Sequence, residues 1–153
     1  MSMLAIRSSA LCATPKDMLP RIATVEDALL AAGDQIELPT EHVIHAGMYA
    51  RTVIMPQGMV MTGALIKRAT TVIVCGAAAV LVGEEWQELD GYYVLPASSG
   101  RKQVFVSRSP VIITMIFPTQ ARTVEEAEAE FTDDCERLLS RKQQNNTVLI
   151  TEE

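Results

Sequence analysis

A chain of 153 residues that is 48% hydrophobic and 21% charged is long enough to bury a core as one globular domain, and its composition excludes a disordered polymer. The formal net charge of −6 excludes a general nucleic-acid binder, because affinity for that backbone rests on clustered Lys and Arg neutralising phosphates. Three separated cysteines, Cys12, Cys75 and Cys135, with no CxxC pair, predict reduced thiols in a cytoplasmic protein, and the absence of 18 consecutive apolar residues excludes a membrane-spanning helix.

Residues 1–23 alternate weakly and carry Pro15 and Pro20, which predicts an extended arm packed on another surface or on a neighbouring subunit. Leu11-Cys12 imitates a lipoprotein signal, but Arg7 interrupts the apolar stretch and no basic region precedes it, so export is not expected. The Asn145-Asn146-Thr147 sequon is then chemically idle. Residues 24–122 read as the main domain. Thr24 and Asp27 suggest a cap, Val25, Ala28, Leu29 and Ala32 share a helical face, and Gly33 can close the helix. Gln35–Leu38 and His42–His45 read as strands, and Gly47 bends the chain into the segment that follows.

That segment, Tyr49–Gly76, reads strand, turn at Pro56-Gln57-Gly58, strand, bend at Gly63, strand. Its short apolar runs suit strands buried on at least one face. Met48, Met55, Met59 and Met61 suit an adaptable core. AAAVLV then runs to a polar tip at Gly83-Glu84-Glu85, with Trp86 beside it as a packing or stacking residue. Trp86–Leu89 and Tyr92–Leu95 are predicted as strands separated by a turn at Asp90-Gly91. Lys102–Ser107 and Val111–Phe117 add two more. Eight or nine short strands without intervening helices predict a mainly β antiparallel sandwich or closed barrel. At Thr123 the composition turns acidic: Thr123 with Glu126 forms a capping box, and a helix over 123–142 is predicted, with Val124, Ala127, Phe131, Cys135 and Leu138 on its apolar face. The tail, 143–153, ends in TVLIT, a β-prone piece that needs a sheet edge to receive it.

The succession YAR, IMPQGMVMTGALIK, CGAAAVLVGEEWQELDGYYVLPASSGRKQ and TMIFPT over residues 42–118 resembles the cupin superfamily, in particular small single-domain proteins of phages and prophages. The resemblance implies a jelly-roll type antiparallel β-barrel with a short N-terminal and a C-terminal helix. It would place metal-binding histidines at Ile66, Thr70 and Phe117, where Ile and Phe offer no lone pair, so no metal or other cofactor is expected. It also places Tyr49, Arg51, Lys67 and Lys102 around the barrel mouth.

Tyr49, Arg51, Lys67, Arg68, Thr70 and Lys102 are therefore the candidate contacts for a small anionic ligand such as a nucleotide, held as a sequestering protein would hold it; solvated strand-end charges explain the same cations. A structural protein forming a homo-oligomer, or docking on a virion or host component, is the alternative. A metal-independent isomerase or epimerase would use His42 or His45 as base, yet three residues apart on a strand the two face opposite ways.

Overall fold

The computed structural model describes residues 10–33 and 35–153. The part of the predicted arm before residue 10 lies outside them; the described part packs on the chain's own sheet. Leu11, buried in the core, pairs with Ala97, its N–H donating to Pro96 O at 2.9 Å and its carbonyl accepting from Ser98 at 2.8 Å.

Helix α1 spans Met18–Ala31 and so starts six residues before Thr24. Pro20 does not break it, because it falls in the first turn, where a backbone N–H has no helical acceptor to lose. Thr24 is interior, its hydroxyl donating to Pro20 O at 3.0 Å rather than capping. Gly33, at φ 82°, closes the end as expected. Met18 and Ile22 bury themselves against Leu81 and Val104 on the outside of the sheet.

The strands are β1 (Thr40–His45), β2 (Met48–Met55), β3 (Val60–Thr62), β4 (Thr70–Val82), β5 (Glu85–Ala97), β6 (Val104–Ser107), β7 (Val111–Pro118) and β8 (Asn146–Ile150). They form one curled, mainly antiparallel sheet in the order β3-β6-β4-β7-β2-β1-β8, with β5 also on β4. The mainly β class with two flanking helices agrees with the sequence. Two predicted details do not. Gln35–Leu38 forms no strand; β1 begins after Pro39, which has no N–H to give a ladder. Asp90-Gly91 is no turn either: both lie within β5, with Gly91 opposite Gly76 of β4 at φ 123° and 128°. Two facing glycines let a hairpin of two 13-residue strands bend sharply, so the signal marks a bend and two predicted strands are one. Beyond that bend β4 changes partners, from β7 to β6.

Helix α2 covers only Val124–Phe131, capped as predicted by the Thr123 side chain accepting from Glu126 N. It stops short of 142 because Thr132 turns extended, its hydroxyl accepting from Asp134 N at 3.1 Å, while the Phe131 carbonyl accepts from Lys67 N at 2.8 Å. Short 3-10 turns at Cys135–Arg137 and Leu139–Arg141 lead into β8, which pairs parallel to β1. The core lies in the concave side of the sheet and includes Tyr49, Met55, Val74, Val80, Val111 and Phe117, closed by Phe131 and Leu138 from the C-terminal segment.

Candidate functional site

Alternation along the strands decides which side chains meet on the concave face. On β1, Thr40, His42 and Ile44 point in; on β2, Tyr49 and Arg51 do, and the register sets His42 against Arg51 and Ile44 against Tyr49. Helix α2 lies across this end of the sheet. Its Phe131 stacks on Tyr49 with ring centroids 6.4 Å apart and meets Phe117 edge-on at 6.1 Å. Glu128, 2% exposed, accepts from Arg51 Nη1 at 3.1 Å and from Arg141 Nε at 2.8 Å, and Arg51 Nη2 donates to Ser140 Oγ at 2.7 Å. The mouth is thus occupied by the chain's own C-terminal segment.

The predicted contacts separate. Tyr49 and Arg51 belong to this closed cluster. Lys67 pairs with Asp133 at 2.6 Å and Arg68 with Glu130 at 3.9 Å while lying over the Phe117 ring, so both flank the segment that follows α2. Lys102 is elsewhere, donating to Gly63 O at 2.9 Å and pairing with Glu26 of α1. Every one of these four cations is engaged with a carboxylate of the same chain.

Thr70 is buried under Arg101, whose Nη2 donates to its hydroxyl at 2.7 Å. Arg101 is itself 2% exposed and among the described residues bonds neutral acceptors, including Ser98 O at 2.8 Å and Arg68 O at 3.3 Å; burial lowers its pKa to about 10. Ile66 packs on the core and Phe117 is fully buried. A divalent metal does not fit here: two of the three positions have no donor atom, and the third hydroxyl is already bonded to a guanidinium cation.

The two histidines face opposite sides, as their spacing predicts. His45 is exposed, 2.7 Å from Thr151 Oγ1, and His42 is buried, with Nδ1 2.7 Å from Tyr49 Oη. Burial lowers the His42 pKa, Arg51 adding to the effect against the opposing carboxylates Glu128 and Glu125; burial raises that of Tyr49. The protonated phenol and the neutral imidazole share one hydrogen bond, whose direction follows from which ring nitrogen carries the proton. The linkage has a definite sign: the folded state resists a proton that the unfolded state accepts near pH 6.5, so stability is lost as pH falls below about 6.5. In melts across pH 7.5 to 5, wild type is expected to lose stability more steeply than His42→Gln; parallel curves would remove His42 as the cause.

The opposite side of the sheet has a different chemistry. Outward residues of β5, β4, β7, β2 and β1 include Tyr92, Val94, Ile73, Ile112, Ile116, Ala50 and Val43. Glu41 and His45 on β1, and Asp90 and Glu88 of β5 at and beyond the glycine bend, share that outward phase, so the apolar part is the stretch between them. An antiparallel sheet with one solvated face ordinarily alternates apolar and polar residues, and this one does not. Helix α1 covers the outside only beyond the Gly76 bend, at Leu81 and Val104. Between α1 and the β4–β5 hairpin an apolar groove of about 430 Å³ is lined by Met18, Ile22, Val25 and Leu81, with Trp86 exposed along it.

Glu128 and Arg141 are the residues that sequence reasoning missed. Glu128 was legible: it lies four residues after Val124 and three before Phe131, on the face assigned as apolar.

No family model and no curated protein matches the sequence. Among solved structures, a cupin superfamily protein from Desulfitobacterium hafniense is similar at 11% identity over 60% of this chain and 88% of that one, with a TM-score of 0.45. KdgF from Halomonas sp. is similar at 18% identity over 57% and 86%, TM-score 0.44. Salicylate 1,2-dioxygenase from Pseudoaminobacter salicylatoxidans bound to gentisate is similar at 13% identity over 86% of this chain and 40% of that one, TM-score 0.47. These are likenesses of fold.

Proposed function

We propose that this chain is a non-catalytic subunit of a homo-oligomer, a structural or interaction protein built on a cupin-like sheet. The observation that carries the reading is β8. It is an outermost strand, and Val148 and Ile150 on its inner side and Leu149 on its outer side are 44–58% exposed. A strand apolar on both faces, with an open edge of backbone donors and acceptors, is what native chains avoid leaving bare. Antiparallel pairing of β8 with the same strand of a second copy, about a two-fold axis, satisfies edge and side chains together. An anion at the mouth would first have to displace Glu128, Asp133 or Glu130 from their cations, and an isomerase base at His42 would have to act from beneath that cluster; this ranks both below assembly.

Light scattering of the wild-type chain is expected to give a multiple of the single-chain mass, and Val148→Lys with Ile150→Lys to reduce it while the far-ultraviolet circular dichroism is kept. A wild type that stays a single chain across the accessible concentration range overturns the reading.

A further inference from the structure

We infer that the bare outward face of β5, β4, β7, β2 and β1 is a second contact surface, and that its occupant is the same face of another copy of this chain. The inference rests on the assembly reading and adds to it a sheet-on-sheet contact distinct from the β8 edge.

Four observations lead to a second copy. The first is chemistry. Ile73 is flanked in register by Val94 on one side and Thr114 on the other, and Cys75 by Tyr92 and Ile112, so apolar side chains run across strands without a charge between them. Thr114 in turn shares a hydrogen bond with Thr52 of the next strand at 2.8 Å, one hydroxyl donating to the other within the face. Between Glu41 and His45 on one side and Asp90 on the other, a strongly charged partner finds nothing to pair with, whereas an identical face is complementary to itself.

The second is size. Five to six strands at about 4.8 Å, each contributing about 17 Å of length, make a plane of roughly 400–500 Å². Side-chain relief enlarges it toward the ~800 Å² per partner of an ordinary stable interface, and it is comparable to the largest apolar patches of monomers, about 300–600 Å², which are often functional. The third is the chain's own treatment of this side, since where it has a helix to spend, beyond Gly76, it covers Leu81 and Val104 with α1. The fourth is continuity: Leu149 of β8 sits beside Val43 of β1, so the face runs without a break into the edge contact. Two curled sheets meeting this way pack at about 10 Å with interleaved side chains.

The test uses the full chain and two independent readouts. Val94→Lys and Ile112→Lys alter side chains that are 57% and 44% exposed, so the fold should survive, checked by circular dichroism. Each is expected to halve the mass found by light scattering. Cys75 stands on the face, in its row next to the Gly76 bend, and Cys12 outside it, and both are exposed in the single chain. Maleimide labelling resolved by peptide mass should find Cys75 several-fold slower than Cys12 in wild type, and comparable to it in Val94→Lys.

An assembly mass unchanged in both variants, with Cys75 labelled as fast as Cys12, overturns the face contact and leaves the β8 reading standing. Wild type that is a single chain overturns both.

Discussion

Glu128→Gln is expected to destabilise the protein by about 3–5 kcal/mol, because it removes the negative charge from a buried cluster and leaves its cations. Glu128 is 2% exposed and joins Arg51, whose side chain is 12% exposed, to Arg141. Gln can still accept one hydrogen bond, but it cannot neutralise a guanidinium that lies 5.5 Å over the Phe131 ring and beneath α2. For a domain of this length such a loss lowers the melting temperature by roughly 10 °C or more. Adding Arg51→Met removes the stranded charge, so the double variant should lose clearly less than the sum of the two single changes. Additive losses, or a Glu128→Gln melt unchanged from wild type, would show that Glu128 does not hold α2 across the concave face. A change confined to the last turn of α2 would also loosen the path by which β8 reaches β1, so the oligomer of this variant should weaken in step with its stability.

The same cluster shows what the sequence made legible and what it hid. Short β-branched runs between Pro56, Gly58, Gly63 and Gly83 announce strands, and the strands are there, because local alternation and turn chemistry decide both. The capping box at Thr123 likewise starts α2 where it should. The end of α2 was not readable, since the Phe131 carbonyl is claimed by Lys67 N, a partner 64 positions away in the chain. Cation pairing failed for the same reason. Arg51, Lys67, Arg68 and Lys102 each read as available, and each finds its carboxylate on a remote element: Glu128, Asp133, Glu130 and Glu26. The outward face was half legible. TTVIVC and VIITMIF are apolar in both phases of the strand period, a pattern consistent with a strand covered on both sides, and among the described residues a cover lies over only one of them.

Gly76→Ala is the second large effect, and its counterpart across the ladder provides the control. A Cβ at Gly76 would stand 2.5 Å from Pro110 O and 3.1 Å from Val111 Cα, both backbone, and the residue holds φ at +128°. Neither contact can rotate away, so the start of β7 must move. Backbone strain of about 1–3 kcal/mol combines with that displacement, and a total above about 4 kcal/mol is expected. Gly91, directly opposite at φ +123°, has nothing within 4 Å of its would-be Cβ, so Gly91→Ala should cost only the strain, about 1–3 kcal/mol. The asymmetry matters for more than stability. Displacing β7 from Gly76 breaks the register of Cys75 with Ile112, and those two residues form the row of the proposed face contact next to the bend. Urea unfolding should therefore rank Gly76→Ala well below Gly91→Ala, and only the former should release Cys75 to labelling at concentrations where both remain folded. Equal losses at the two glycines would mean that β7 accommodates the methyl group, and that the bend in β4 is set by backbone conformation alone.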